Sequence, residues 1–532
     1  MTHLSRSLIL GCSVLALSAC GPDDIASPGS GGNVTVTITT PPPAPTPTPT
    51  APTLVTAAGA CPTITDPQGL TDKGTISGPT GTYRICQLPA LIKVSSTLPK
   101  ITGLLYSMSG RVNVGCDGGF TAPTAGSPVA STTVGCGTLT ADTNVTLTIN
   151  PGVILYGATG QSWLAVNRGN KLNAVGTATS PIIFTSADNV AGFNTDQSIG
   201  QWGGVVLLGR GKITDCNVGS VASSTCERDT EGSVDLARFG GNDDTYNAGT
   251  LSYLQIRYSG FVLSADKELQ ALTTEGIGSG TVIDHFQSHN SSDDGAEFFG
   301  GVVNMKYYIA TGADDDSLDV DTGARMSVQY ALLLQRPGQG DSMMEIDSNG
   351  FEADTPRTNL KVSNFVAVQP QVSANNEGAD QATTMFRGNS DTTLVNGLIV
   401  APNNECIRMN GSGGANAATL TARSVALTCN ATKYIGSGSY TAAQVATSFG
   451  SGTNNNNDAL TSTLTGGFIN GANEDAIVPF DASTLSTFFV TPSPNHAGAV
   501  WSGNNTWFMG WTCNSSTANL GGGSACTSLP TT

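Results

Sequence analysis

Positive charge is scarce in this chain. Its 532 residues include 23 lysines and arginines against 40 aspartates and glutamates, which gives a net charge of −17. Nucleic-acid binding needs a basic patch, so we expect no nucleic-acid partner. The same surface charge would repel anionic lipids and anionic polysaccharides unless cations intervened.

Long apolar runs are also scarce. The run Leu8–Leu17 at the N-terminus has the length of a signal-peptide core and is too short to span a bilayer. It ends in Leu17-Ser18-Ala19-Cys20, which resembles the lipobox of bacterial lipoproteins. We therefore predict a signal peptide over residues 1–19 and lipidation of Cys20, with palmitate among its acyl chains. Gly21 follows the cysteine, where an aspartate would retain a lipoprotein in the inner membrane, so the resemblance implies the outer membrane. The alternative to a lipoprotein signal is an ordinary secretory signal.

Histidine is rare, with four residues, and no Cys-x-x-Cys occurs, which argues against a zinc site. Twelve cysteines are present, of which Cys12 lies in the signal peptide and Cys20 carries the lipid. The other ten form neighbouring pairs, and an even number in an exported chain predicts disulfides. Sequence does not prove the connectivity, but local pairing is the economical assignment: Cys61–Cys86, Cys116–Cys136, Cys216–Cys226, Cys406–Cys429 and Cys513–Cys526.

Composition divides the chain into segments. Residues 20–56 carry the lipidated cysteine and a run rich in proline and threonine, which predicts an extended tether. Residues 57–137 form a disulfide-bearing entry segment. Short β-rich runs broken by Gly, Asn and Asp follow, and we assign a β-helix to residues 138–430 and a C-terminal β segment and cap to 431–532. The tryptophans Trp501, Trp507 and Trp511 are expected to cover the open end of the helix.

An internal repeat decides the fold class. A shift of about 22 residues places Phe286 on Tyr308, Tyr308 on Tyr330 and Glu297 on Asp319. Short strands with such a period predict an all-β protein, a right-handed parallel β-helix with coils of about 22 residues. A β-sandwich is the alternative.

Several strings resemble a family of secreted bacterial β-helix proteins from proteobacteria and Bacteroidetes, many of them lipoproteins without a characterised function. They include Ile149-Asn-Pro-Gly-Val153, Pro181-Ile-Ile-Phe-Thr-Ser186, Trp202 to Gly209 and Gly510-Trp511-Thr512-Cys513. The resemblance covers roughly residues 140–513. It implies the fold and an envelope location, and it brings no catalytic residues with it.

Acidic residues recur in the repeat and form the main candidate site. Equivalent carboxylates on stacked coils would lie about 5 Å apart and repel each other. Calcium, which takes oxygen ligands in irregular geometry, would relieve the repulsion. A solvated acidic stripe and an acid–base catalytic site are the alternatives. The predicted Ca²⁺ ligands are Asp293, Asp294, Asp315, Asp316, Asp319, Asp321, Glu345 and Asp347.

The aligned rings Phe286, Tyr308 and Tyr330 are the second candidate site. A column of rings stabilises a β-helix when buried, and it offers a platform for sugar rings when exposed. We list the three residues as candidate ligand-binding residues.

These features predict a non-catalytic envelope protein that binds a ligand or glycan through a Ca²⁺-loaded acidic face. A polysaccharide lyase or glycoside hydrolase of the β-helix class is the first alternative. The Gly-His-Gly motif of polygalacturonan hydrolases is absent, and Lys306, Arg325 and Arg336 are the basic candidates near the acidic residues. An accessory protein of an outer-membrane transporter is the second alternative.

The anchor generates a direct test. We expect Cys20→Ala to abolish both fatty-acid labelling and partition into detergent, because the thiol that carries the lipid is gone. Cys12→Ala, in the signal peptide, should leave both unchanged. Labelling that persists in Cys20→Ala would contradict lipidation at this residue.

Overall fold

The computed structural model describes residues 54–531, apart from 265, 266, 349, 351, 373–381, 412–415 and 504. The predicted signal peptide (residues 1–19), Cys20 and nearly all of the predicted tether lie outside the described residues. Residues Thr53–Thr532 form one unit by their internal contacts. No helix within the described part of the chain is long and apolar enough to cross a membrane.

Strands dominate the described chain. Helices are short and few: α1 (Ala187–Ala191), α2 (Ala442–Phe449), α3 (Ala472–Asp475) and a 3₁₀ turn (Ala482–Thr484). In chain order the strands are β1 (Thr71–Gly78), β2 (Gly81–Gln87), β3 (Leu91–Ile92), β4 (Ser96–Leu98), β5 (Leu104–Met108), β6 (Arg111–Val114), β7 (Val129–Ala130), β8 (Thr138–Leu139), β9 (Thr146–Ile149), β10 (Ile154–Gly157), β11 (Trp163–Val166), β12 (Lys171–Val175), β13 (Ile182–Ser186), β14 (Val205–Leu208), β15 (Arg228–Asp229), β16 (Arg238–Phe239), β17 (Gly249–Arg257), β18 (Val262–Ser264), β19 (Lys267–Glu268), β20 (Leu272–Glu275), β21 (Val282–His289), β22 (Ala296–Phe299), β23 (Val302–Thr311), β24 (Asp319–Asp321), β25 (Arg325–Leu334), β26 (Met344–Ile346), β27 (Thr358–Val368), β28 (Thr384–Phe386), β29 (Ser390–Ala401), β30 (Ile407–Asn410), β31 (Thr419–Cys429), β32 (Tyr434–Ser437), β33 (Gly510–Asn514) and β34 (Gly522–Ala525).

Two stacks of parallel strands form a β-helix, which confirms the predicted fold class. The larger sheet runs β2-β5-β10-β13-β17-β21-β23-β25-β27-β29-β31, and the smaller runs β3-β6-β11-β14-β20-β22-β24-β26-β28-β30-β32. In the middle coils Phe286 pairs with Tyr308 and Glu297 with Asp319, as the repeat predicted. Later coils are longer, with Phe365 paired to Gly397, because loops extend from the turns.

One residue in the left-handed region bends each long strand of the larger sheet. Its φ lies between 47° and 65°, a range that L-residues adopt rarely and usually singly. The pairing register skips these residues, so each strand has two parts that face different directions. The column of bend residues, which we call the bend column, comprises Tyr253, His285, Tyr307, Tyr330, Asn364, Asn396 and Ser424.

The interior of the helix is a continuous apolar core. Phe298, Val320 and Ile346 from successive strands of the smaller sheet are fully buried in it. Helix α2 closes the C-terminal end, because Val445 and Phe449 pack into the same core. The coils begin earlier than residue 138, since β2 and β5 already pair in parallel from Arg84 and Leu104.

The C-terminal residues after α2, numbered 451–531 and called the strap below, run back along the side of the larger sheet. Leu332, Val366 and Leu398 on the outer face of the coils pack with Phe508 and Trp511 of the strap. The prediction that the tryptophans cover the open end is therefore wrong. Trp507 and Trp511 pack instead on the apolar outer face of the coils, and Trp501 lines a cavity beside the strap.

All five local disulfides are confirmed. The sulfur atoms join Cys61 to Cys86, Cys116 to Cys136, Cys216 to Cys226, Cys406 to Cys429 and Cys513 to Cys526. The last of these lies within the strap, where it links Cys513 of β33 to Cys526, the residue after β34.

Candidate metal centre

Carboxylates from successive coils line a cleft of about 240 Å³ outside the smaller sheet. Because side chains alternate along a strand, Phe298 and Val320 point into the core while their neighbours face the cleft. We call this the acidic cleft. Its lining residues are Glu231, Glu268, Gln270, Asp293, Asp294, Glu297, Phe299, Asp315, Asp316, Asp319, Asp321, Glu345, Asp347 and Arg387.

The strands supply one wall of the acidic cleft. Glu297 of β22 pairs with Asp319 of β24, which in turn pairs with Glu345 of β26. Parallel pairing places such residues about 4.8 Å apart. Three carboxylates thus form a ladder up the coils, and Asp321 lies two positions further along β24 on the same face.

The turns before these strands supply a second wall, and part of it is structural. Asp294 Oδ1 accepts a hydrogen bond from the backbone N–H of Asp316 at 2.9 Å. Asp316 Oδ1 accepts one from the backbone N–H of Ser342 at 2.8 Å, one coil further on. One oxygen of each aspartate therefore holds the next coil in place.

Residues outside β22, β24 and β26 make the remaining polar contacts in the cleft. Gln270 Nε2 donates to Asp293 Oδ2 at 3.0 Å. Glu231, from the long loop between β14 and β17, forms an ion pair with Lys267. At the other end Arg387 bridges Glu345 and Asp347 at 2.8 and 2.7 Å.

Burial raises the pKa of most carboxyls in the acidic cleft, and the neighbouring negative charges raise it further. The pKa of Asp321 rises to about 8 and that of Glu345 to about 7, from ordinary values of 3.8 and 4.5. Near neutral pH the cleft must therefore hold protons or cations. The carboxyls whose pKa lies well above the usual range for the same two causes are Asp293, Asp294, Glu297, Asp316 and Asp319.

Two groups of three carboxylates have the spacing of metal ligands. One oxygen each from Asp293, Asp294 and Asp315 lie within 4.8 Å of one another, and so do oxygens from Asp294, Glu297 and Asp319. Calcium binds oxygen at about 2.3–2.6 Å, so oxygens at this separation can share one ion. Asp319 Oδ1 is buried without a hydrogen-bond partner among the described residues, and a cation would satisfy it.

The structure gathers all eight predicted Ca²⁺ ligands in this cleft. Asp316 also holds the next coil, and Glu345 and Asp347 pair with Arg387, so their oxygens are partly committed. The internal repeat aligns Glu297 with Asp319, but Glu297 is not among the predicted Ca²⁺ ligands. Sequence reasoning missed four lining residues. Glu231, Glu268 and Gln270 lie outside the 22-residue repeat, and Arg387 follows β28 in a coil much longer than 22 residues, where the period is lost.

The aromatic prediction is corrected. Phe286 and Tyr308 do stack, with ring centroids 5.4 Å apart, but both are fully buried in the core and cannot reach a ligand in solution. Tyr330 does not continue that column. The turn before β25 is one residue longer than the turn before β23, so Tyr308 pairs with Ala331. Tyr330 takes the bend position instead, and its ring stacks on Tyr307 of the bend column at a centroid distance of 5.0 Å.

The basic residues predicted to serve a lyase are engaged outside the acidic cleft. Lys306 Nζ lies 4.7 Å from the ring centroid of Phe488, Arg325 pairs with Asp244 at 2.7 Å, and Arg336 pairs with Asp314. Among the residues that line the cleft, Arg387 is the cation.

Comparison with known families agrees with this architecture. Residues 133–511 match the family described as pectate-lyase-like beta helix domain. The chain belongs to this family. Neither a curated protein nor a solved structure matches it. Membership of the pectate-lyase-like β-helix family thus fixes the fold, and the chemistry must be argued from the acidic cleft itself.

The raised pKa values generate a test on this pectate-lyase-like β-helix. A carboxyl with a raised native pKa binds more protons in the folded than in the unfolded chain, so stability falls as pH rises from its ordinary value to its native value. In chelator we expect the melting temperature to fall between about pH 4 and 8, the window set by Asp321 and Glu345. In Ca²⁺ the fall should be much smaller, because bound ions stabilise the charged carboxylates.

The control is Mg²⁺ at equal concentration, which sheds its water reluctantly and demands octahedral geometry. Falling profiles that are identical in chelator, Mg²⁺ and Ca²⁺ would contradict calcium binding at the cleft. A melting temperature in chelator that does not fall over this window would contradict the raised pKa values.

Proposed function

We propose that this protein is a non-catalytic, envelope-anchored β-helix whose acidic cleft binds Ca²⁺ and, through the bound ions, a carboxylated polysaccharide. The observation that carries the proposal is the pair of carboxylate triads that share Asp294. Oxygen-only ligands in irregular geometry suit calcium, and neither triad contains the nitrogen or sulfur ligands that zinc prefers.

Repulsion among the carboxylates of the acidic cleft would favour the binding of calcium. Eleven carboxylates and one arginine line the acidic cleft. Two carboxylates about 4–5 Å apart repel by a few kcal/mol at an effective dielectric constant near 20. A divalent ion between Asp294, Glu297 and Asp319 removes this cost and satisfies the unpaired oxygen of Asp319.

The proposed ligand class rests on the negative charge of the acidic cleft and on the description of the family. An anionic polymer is repelled by the free cleft, but it can complete the coordination of an ion that the protein ligates incompletely. Calcium takes six to eight oxygens, and three carboxylates leave room for oxygens from a ligand. The family description supports a uronate-containing polymer, which we take as the ligand class.

A polysaccharide lyase is the second candidate, favoured by the family and by Arg387 in the cleft. A lyase needs a base to remove a proton beside the metal. Glu345 and Asp347 each form an ion pair with the Arg387 guanidinium, and a guanidinium engaged in this way is poorly placed to act as a base. This contact is our reason for placing binding before catalysis.

Calorimetric titration of the lipid-free mature chain tests the calcium site. We expect Asp319→Asn to weaken Ca²⁺ binding by at least about tenfold, which corresponds to about 1.4 kcal/mol, because one charged ligand of a triad is lost. In chelator the same variant should melt at a higher temperature than the parent, since a buried repelling charge is removed.

The matched control is Asp188→Asn, which makes the same charge change at an exposed residue of α1. Equal weakening by both variants would indicate general screening and contradict a site at the triads. Polygalacturonate binding that needs Ca²⁺, without unsaturated product in the ultraviolet absorbance, supports the binding protein. Product that forms in the parent and is lost in Arg387→Ala would establish the lyase instead.

A further inference from the structure

A second cavity, of about 370 Å³, lies where the bend column meets the strap. It shares no lining residue with the acidic cleft, which is built on the smaller sheet. We call it the aromatic pocket. The residues that matter for its chemistry are Tyr307, Tyr330, His496, Trp501 and Trp507.

One wall of the aromatic pocket is a preformed aromatic surface. The rings of Tyr307 and Tyr330 are parallel within 2°, with centroids 5.0 Å apart. The centroid of the Trp507 ring lies 5.3 Å from that of Tyr307 and 6.3 Å from that of Tyr330. Its Nε1–H donates to the carbonyl oxygen of Ala499 at 3.0 Å, so the indole is fixed from within the strap.

His496 contributes an unpaired acceptor to the aromatic pocket. Its side chain is buried, with 7% exposed, and Nδ1 lies 2.9 Å from the carbonyl oxygen of Pro494. A carbonyl only accepts, so Nδ1 carries the hydrogen and Nε2 presents a lone pair in the neutral ring. Burial lowers the pKa of His496 and keeps the ring neutral near neutral pH. Nε2 has no partner among the described residues.

The β-helix holds this part of the strap in place. Asn364 Nδ2, from the bend column, donates to the carbonyl oxygen of His496 at 2.8 Å. Gln329 forms two hydrogen bonds with the backbone of Val490, one in each direction. The backbone N–H of Gly498 donates to the carbonyl oxygen of Asn396 at 2.9 Å. The aromatic pocket is therefore organised before any ligand arrives, which lowers the entropic cost of binding.

The lining selects among ligand classes. The residues that line the aromatic pocket include no lysine or arginine, so an anion has no counter-charge there. A quaternary ammonium would suit the rings but has no hydrogen to donate to His496 Nε2. A pyranose ring offers both complements, with C–H faces for the aromatic wall and hydroxyls for the lone pair.

We propose that the aromatic pocket binds a neutral pyranose unit of a saccharide, independently of calcium. Tyr307, Tyr330 and Trp507 form the aromatic wall, to which Tyr307 contributes its edge because the rings of His285 and Tyr330 cover its two faces. Trp501 lines the cavity beside this wall, and His496 Nε2 accepts a hydrogen bond from a sugar hydroxyl. The site goes beyond the proposed function because it recognises an uncharged ring without a metal.

The experiment is calorimetric titration of the mature chain with cellotetraose, maltotetraose and xylotetraose, each in chelator. We expect at least one to bind, and Trp501→Ala and His496→Phe each to weaken it by about tenfold or more. His496→Phe keeps an aromatic ring but removes the Nε2 acceptor together with the Nδ1 hydrogen bond to Pro494, so its melting temperature is compared with that of the parent. Phe193→Ala, which removes an exposed ring elsewhere, is the matched control and should bind like the parent.

Asp319→Asn separates this site from the acidic cleft and should leave saccharide binding unchanged. The proposal is overturned if none of the three saccharides binds, if Trp501→Ala binds as tightly as the parent, or if binding requires Ca²⁺. Binding of tetramethylammonium in place of the sugars would also overturn it and assign the pocket to a cation. Because Trp501 is partly exposed on the strap, its loss should not unfold the chain.

Discussion

Side chains at equivalent positions of a parallel β-helix lie about 4.8 Å above one another, since the strands of successive coils pair in parallel. Where the column is apolar, as from Phe298 through Val320 to Ile346, this spacing gives a closely packed core. Where it is acidic, as from Glu297 through Asp319 to Glu345, the same spacing places like charges together. The fold that stabilises the inside thus creates an electrostatic cost outside, and the acidic cleft is where this cost concentrates.

That cost is the physical basis of the cation site that we propose in the acidic cleft. Backbone hydrogen bonds to Asp294 and Asp316 keep the turns in register, so the carboxylates cannot simply move apart. Burial raises the pKa of Asp319 and its neighbours, which indicates that full ionisation without counter-ions is unfavourable. Arg387 neutralises only one end of the cleft. Calcium at the triads would relieve the rest.

The bend column shows a second use of stacked positions. Where its members are aromatic, at Tyr307 and Tyr330, the rings form a wall of the aromatic pocket. Where they are asparagine, at Asn364 and Asn396, side chains and backbone hold the strap. One conformational requirement of the coils therefore both fastens the C-terminal segment and shapes a cavity under it.

The sequence repeat predicted the middle coils because they keep a constant length, which places Phe286 on Tyr308 and the acidic residues in one ladder. It failed at Tyr330 because the turn between β24 and β25 is one residue longer than its counterpart in the preceding coil, which shifts the register by one residue. The disulfides were predictable because paired cysteines, such as Cys216 and Cys226, are near each other in sequence. The packing of the strap was not predictable, because Trp511 packs on coils that are far away in the chain. Glu231 reaches the cleft from a loop that no period describes, and Arg387 stands one coil after Asp347, where a long coil breaks the 22-residue period.

The most direct test of the calcium-loaded cleft is anomalous diffraction from crystals of the mature chain grown in Ca²⁺ near neutral pH. The account predicts anomalous density between the carboxylates of Asp294, Glu297 and Asp319. An acidic cleft without anomalous density, in crystals that bind calcium elsewhere, would contradict it.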